Sequence, residues 1–218
     1  MVKKIVIIGA GGFGREVKVL IDQLNQERNL YEIEGFYDDA ENLPEIINGL
    51  PLLGKIDNLL EREENIEVAI GIGIPEIKKQ IISRFKGRCN FNFPVLIHPS
   101  VYIGDDVKIG RGSIICAGNI ITCNINIGAF VTLNLSCTTG HDTLISNYCS
   151  FMPSVNISGE VQISENVYVG TGAKIINLLS IGENTVIGAG AVVAKSLPSN
   201  CTAVGIPAKP IRYNKTEN

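Results

Sequence analysis

Between residues 97 and 193 the chain repeats every six residues, and no other feature limits its fold as much. Ile97, Ile103, Ile109, Ile115, Ile121, Ile127 and Leu133 open the ladder. Ile145, Ile157, Ile163, Val169, Ile175, Ile181, Ile187 and Val193 carry it on, with Thr139 and Phe151 as departures. Glycine often follows the ladder residue, as at Gly104, Gly110, Gly128, Gly140, Gly170, Gly182 and Gly188. A second aliphatic set stands four residues on, as at Val101, Val107, Val131, Val155, Val161 and Val167. An α-helix repeats at about 3.6 residues and a half-buried strand at about 2, so neither produces a strict six. Short strands joined by tight turns do. The pattern predicts a parallel β-helix, a three-sided prism in which each coil buries its apolar side only against its neighbours. Aromatic residues make up 6% of the chain and Trp is absent, which suits a narrow interior filled by Ile and Val.

The residues before this ladder follow another pattern. A β-branched run at 3–8 reads as a buried parallel strand. Gly9-Ala10-Gly11-Gly12-Phe13-Gly14 follows, and then a segment in which Val17, Leu20, Ile21 and Leu24 share a helical face. Strand, glycine turn and helix start form the context in which backbone N–H groups receive a phosphate. Residues 31–37 read as a second strand ending in Asp38-Asp39, and 51–55 as a short turn-bounded segment. Residues 56–63 read as a helix, 68–73 as a third strand entering a glycine turn, and 75–85 as a helix with Pro75 in its first turn. Strands alternating with helices predict a small parallel sheet, half of a Rossmann-like fold. The expected organisation is therefore an α/β domain over 1–93, an all-β parallel β-helix over 94–196 and a tail over 197–218. That tail is extended and Pro-rich, with 214–218 frayed.

Charge narrows the partners. Lys and Arg number 19 against 22 Asp and Glu, with no basic stripe, which argues against nucleic acid and anionic membranes. No stretch approaches the ~20 apolar residues of a membrane span. The apolar run after Lys4 is too short for a secretory leader. None of the six cysteines forms a C-x-x-C pair. Cys137 and Cys149 fall at the second inward position of the repeat, so they read as small core residues. These features predict a cytoplasmic protein without a metal site.

Only two histidines are present, His98 and His141. His98 stands at the domain join beside Pro99 and reads as structural. His141 comes two residues after the polar rung Thr139, at an outward position, with Asp142 next to it. Gly159 stacks one coil above it and Cys123 one coil below. A thin wall around a lone His leaves room for a ligand, and Asp142 is placed to hold the ring. A solvated His-Asp pair on a prism face fits the same residues.

Taken together, the hexads, the Gly205-Ile206-Pro207-Ala208-Lys209 tail, the early glycine loop, Asp38-Asp39, Gly54-Lys55, Ala69-Ile70-Gly71 and Gly140-His141-Asp142 resemble a known family. They are similar to the left-handed β-helix hexapeptide acyltransferases, and more narrowly to the NeuD and PglD type of sugar O- and N-acyltransferase. The resemblance covers nearly the whole chain. It implies a left-handed β-helix, a homotrimer with active sites between subunits, acetyl-CoA as donor and a nucleotide-linked amino sugar as acceptor. It further implies His141 as general base and Asp142 as the acid that raises its basicity. Gly11, Gly12, Phe13, Gly14, Asp38, Asp39, Lys55, Gly71 and Asn134 would contact the sugar nucleotide. Ser150, Gly159, Thr171, Gly188, Ala189 and Lys209 would contact acetyl-CoA. Two departures stand out: some relatives carry His where this chain has Ser150, and often Asn where it has Ile72.

The implied reaction is acetyl transfer to the amine of a nucleotide-linked 4-amino-4,6-dideoxy sugar, with UDP as the expected nucleotide. O-acetylation of sialic acid or a related sugar is the alternative within enzymes, and a non-catalytic nucleotide-sugar-binding β-helix the alternative outside them. The glycine loop read as a dinucleotide fingerprint would instead take NAD, with Glu34 on the ribose. A domain of this size fits a sugar nucleotide better.

Overall fold

The structure, a computed structural model, describes residues 2–213. In the N-terminal part, β1 (Lys3–Ile8) leads into α1 (Gly12–Glu27), β2 (Tyr31–Tyr37), β3 (Ile46–Ile47), β4 (Leu50–Gly54), α2 (Ile56–Leu60), β5 (Ile66–Ile70), α3 (Pro75–Ser83) and β6 (Phe91–Asn92). The sheet order is β3-β4-β2-β1-β5-β6, parallel except for the β3–β4 hairpin. β1 has parallel neighbours on both sides, which is why Ile5, Val6, Ile7 and Ile8 are all fully buried. Val17, Leu20 and Ile21 of α1 are buried too, on the face their spacing predicts. Residues 51–55 prove to belong to a strand, because β4 pairs with β2. The helix expected over 56–63 stops at Leu60, where the Arg62 side chain turns away to pair with Glu34.

From Leu96 onward the chain winds as a parallel β-helix with faces of eight, six and five strands. Successive strands on a face are offset by eighteen residues, as Ile115 opposite Leu133 and Ile121 opposite Thr139 demonstrate. From Ile115 onward the ladder residues point inward into one continuous core with the second aliphatic set, while Ile103 on the opening coil is exposed. Cys137 and Cys149 belong to that core, and burial pushes their thiols up to about 11 and about 12. Each corner is turned by a residue three places past the ladder position, held at positive φ: Asn124, Phe130, Ser136, Asp142 and Tyr148 are consecutive examples. Strand Cys201–Gly205 adds in parallel to Val186–Ile187, and Ala208–Tyr213 folds back antiparallel on it. Residues 201–213 therefore close the first prism face. The frayed end expected over 214–218 lies outside the described residues.

The N-terminal part seats on the first prism face. Leu96, Ile114 and Cys116 share a core with Ile5, Val17 and Leu20. Beyond α3 an aromatic string crosses the join, with edge-on pairs Phe85–Phe93 and Phe93–Phe130 at 5.4 and 5.2 Å and Phe130 stacked on Tyr148. His98 is used up here: Nδ1 lies 2.8 Å from Ser100 Oγ and Nε2 2.9 Å from Gln23 Oε1 of α1.

Candidate active site

Two groups of side chains stand out, one on each part of the molecule. At the C-terminal ends of the parallel strands, where ligands collect in open α/β sheets, a cavity of about 320 Å³ opens. Its walls include Gly9, Asp38, Asp39, Ile72, Gln80 and Arg84. Asp38 accepts from the Ala10 amide at 2.7 Å and the Ala40 amide at 2.9 Å, so it shapes the glycine loop from beneath. Asp39 accepts from the Ile56 amide at 2.8 Å and from Arg84 Nη1 at 2.6 Å. Burial works against the Asp39 charge, but the Ile56 amide and the Arg84 guanidinium outweigh it and hold the carboxyl below its ordinary range.

The glycines of the loop divide by role. Gly9 has φ +99, and a Cβ there would stand 2.7 Å from Ile72 Cδ1. A Cβ on Gly14 would collide with the Gly9 carbonyl oxygen, and one on Gly71 would come within 2.5 Å of Gly14 Cα. Gly14 and Gly71 are thus required by packing between loop, helix and strand. Gly11 and Gly12 face open space, and α1 begins there without a side-chain cap, which leaves its first N–H groups free. Phe13 packs on the neighbouring core. Lys55 is exposed, with Glu41 at 3.8 Å. Glu34, the residue a dinucleotide reading would need, is bound at 2.7 Å by Lys4 and 2.6 Å by Arg62.

On the prism, His141 and Asp142 stand at the corner after strand Thr138–Thr139, both exposed. Asp142 is the corner residue, with φ +58. Its Oδ2 lies 2.7 Å from His141 Nδ1, and its Oδ1 accepts from Asn124 Nδ2 at 3.0 Å. The bond to His141, then that to Asn124, holds the Asp142 carboxyl below its ordinary range. An ionised Asp142 makes Nδ1 the donor and leaves Nε2 with its lone pair free. Nε2 faces Gly159, where a Cβ would stand only 2.5 Å away. Such a pair can accept a proton from a group brought to Nε2. Behind it, Thr139 is buried and its Oγ1 has no partner among the described residues.

The remaining expected contacts fall elsewhere. Thr171 and Ala189 are exposed beside Gly188 on the preceding corner, stacked eighteen apart. Nearby Gly172 and Gly190 face open space. Asn134 belongs to that same corner and not to the corner of His141; it is 6% exposed, and its Oδ1 accepts from the Leu135 amide. Ser150 is fully buried under the N-terminal domain, with Oγ 3.0 Å from Lys78 Nζ, so no ligand reaches it in this chain. Lys209 is exposed on the last strand. No cluster of three or more His, Cys, Asp or Glu able to hold a metal occurs among the described residues. Sequence reasoning passed over Gln80 and Arg84, whose spacing from Ile77 and Ile81 puts them on one face of α3 and its end. It also passed over Asn124, one coil before Asp142.

Comparison with known proteins shows the family. Residues 4–85 match the family described as the PglD N-terminal domain. Over 217 residues the chain is 31% identical to the GDP-perosamine N-acetyltransferase of Escherichia coli O157:H7, covering 96% of this chain and 97% of that one. The chain belongs to the left-handed β-helix sugar N-acetyltransferases. The acetyltransferase is also similar to a solved structure, the acetyltransferase domain of PglB from Neisseria gonorrhoeae in complex with acetyl coenzyme A. There the TM-score is 0.87 at 30% identity, covering 97% of this chain and 100% of that chain. PerB from Caulobacter crescentus, in complex with CoA and GDP-perosamine, gives a TM-score of 0.82 at 28% identity, covering 96% and 98%. No helix of this acetyltransferase, among the described residues, is long and apolar enough to cross a membrane.

Proposed function

We propose that this acetyltransferase moves the acetyl group of acetyl-CoA to the amine of a nucleoside-diphosphate-linked 4-amino-4,6-dideoxy sugar, with His141 as general base. The observation that carries the reading is the His141 Nδ1 to Asp142 Oδ2 contact of 2.7 Å, which leaves Nε2 free over Gly159. Acetyl-CoA supplies the activated acyl group. As the amine attacks, His141 Nε2 takes its proton and can hand it to the departing sulfur, while Asp142 steadies the imidazolium. A positioned base contributes about 10²–10⁴ in rate, and holding the reactants about 3–3.5 Å apart contributes more. The cavity at Asp38, Asp39 and Arg84 receives the nucleotide, with the diphosphate at the open N–H groups of Gly11 and Gly12. Two relatives named for, or bound to, GDP-perosamine favour GDP over the UDP expected from sequence. The cytoplasm, which holds acetyl-CoA and keeps thiols reduced, suits an enzyme whose cysteines are all free.

The enzyme acts as a trimer in this reading. His141 stands on one corner, while Thr171, Gly188 and Ala189 stand on another, so a second copy completes the site. Tyr102, Ile120 and Leu144 are 63%, 46% and 45% exposed on the two prism faces away from the N-terminal domain, apolar surface that a second copy would cover. The assay is thiol release from acetyl-CoA with GDP-, then UDP-linked 4-amino sugars. His141→Ala should lower kcat by about 10²-fold or more. Undiminished turnover in that variant removes His141 as base, and no thiol release with any amino-sugar nucleotide favours a binding protein.

A further inference from the structure

Lys78 takes no part in the chemistry above, yet it is the buried lysine of the described residues, 1% exposed. It leaves α3 and ends inside the first prism face. Its Nζ lies 2.8 Å from the Phe130 carbonyl oxygen, 3.0 Å from Thr132 Oγ1, 3.0 Å from Ser150 Oγ and 3.5 Å from the Cys149 carbonyl oxygen. No carboxylate of the described residues bonds to it. On α3, Glu76 turns to Asn166 and Lys79 to Glu165. On the prism, Arg111 lies over the Phe130 ring and the Cys149 thiol is the titratable neighbour. Burial pushes the amine down to about 7, offset only in part by Cys149. Either form is served: the ammonium donates to three oxygens, and the neutral amine donates to Phe130 while accepting from a hydroxyl.

The helix that carries Lys78 also carries Ile77, Gln80 and Ile81, and just past its end Arg84, into the wall of the nucleotide cavity. Every wall of that cavity belongs to the N-terminal domain, so the cavity moves with the domain as one piece. We infer that Lys78 is a positioning residue: by tying α3 to strands Thr132–Leu133 and Ser150–Phe151, it fixes where the nucleotide cavity lies relative to the prism. This rests on the reading that the cavity delivers an acceptor amine to a base on the prism. Loosening the tie leaves nucleotide binding intact and misplaces the amine, and a misplacement of about 1 Å costs about 10² in rate.

The test is Lys78→Met in the full-length enzyme. Calorimetry should give a nucleotide Kd within about 2-fold of wild type, with GDP and UDP as the probes. Thiol release should give a kcat lower by about 10²-fold. Amide exchange at 130–133, 149–151 and along α3 should quicken. Unchanged kcat overturns the inference, and so does nucleotide affinity that falls in step with kcat. If Lys78→Met does not fold, Ser150→Ala keeps the lysine, removes one partner and is judged by the same split. If the wild type releases no thiol with any sugar nucleotide, the proposed function fails by itself. The exchange comparison then decides the tie: faster exchange supports it, and unchanged exchange overturns it.

Discussion

At the corner occupied by Asp142 one residue does two jobs. Its positive φ turns the chain, and the same turn carries its carboxylate to His141 Nδ1. Asn also tolerates that backbone region, so Asp142→Asn isolates the charge from the turn. An amide can face Nδ1 with either end and no longer fixes the tautomer. The expected result is a kcat lower by about 10–10²-fold in the thiol assay, with the unfolding midpoint unchanged. Gly159→Ala is the steric counterpart: its Cβ forces the His141 ring aside, and kcat should fall at least about 10-fold without loss of fold. Lys78 gives a pH signature. Its folded value is about 7, against about 10.4 for an unfolded lysine. Between these the unfolded chain binds the extra proton, so stability rises with pH across that window, by at most about 1.4 kcal/mol per pH unit. Below pH 7 both states are protonated and the contribution is flat. Subtracting denaturation curves of Lys78→Met from wild type should reveal this rise; a flat difference from pH 7 to 10 refutes it.

For single elements, the ladder tolerates one polar rung. Thr139 Oγ1 is buried without a partner among the described residues, which costs about 1–3 kcal/mol. Thr139→Val should therefore stabilise the β-helix by about 1 kcal/mol, seen as a thermal midpoint raised by about 2–4 °C. The hexad ladder was legible because from Ile115 onward each ladder residue is buried by its neighbours eighteen residues away. The second signal of the same repeat went unread: the corner residue three places on. Asp106, Asn124, Asp142, Asn166 and Asn184 suit positive φ, but Phe130, Tyr148 and Leu178 hold the same conformation without announcing it. Local propensity there yields to packing. In the N-terminal domain β1 was legible from its β-branched run, and β2 from a short stretch of Tyr, Ile and Phe ending in Asp38-Asp39. β4 was not, since Pro51 and Gly54 read as punctuation until β2 supplies a partner. At the site, Asp38 and Asp39 could be picked from sequence, but Arg84 comes to them through tertiary packing. Ser150 looked available because sequence cannot foresee that Lys78 and its domain will cover it.

For the whole molecule, the proposed base and the proposed nucleotide cavity belong to different parts, and the proposed acyl-donor residues stand on another corner of the prism that carries His141. If neighbouring copies complete each site, two dead variants should rescue one another. Co-expressing His141→Ala with Ala189→Arg in mixed trimers should restore thiol release to a measurable fraction of wild type; mixtures no more active than either parent would put the base and the donor corner of each site on one chain. The uninterrupted eighteen-residue offset carries a consequence of its own. A residue number divided by eighteen has a remainder that is a compass bearing around the prism axis, and a quotient that is a height along it. Asn124, Asp142 and Glu160 share one bearing, whereas Asp142 and Tyr148 do not. A change of chain length by a whole coil would shift everything beyond it up or down the axis without rotating it. A change of six would swing the later corners through a third of a circle and send the donor wall round to the wrong side. The repeat is thus a protractor as well as a scaffold, and its lack of insertions keeps the catalytic edge aimed.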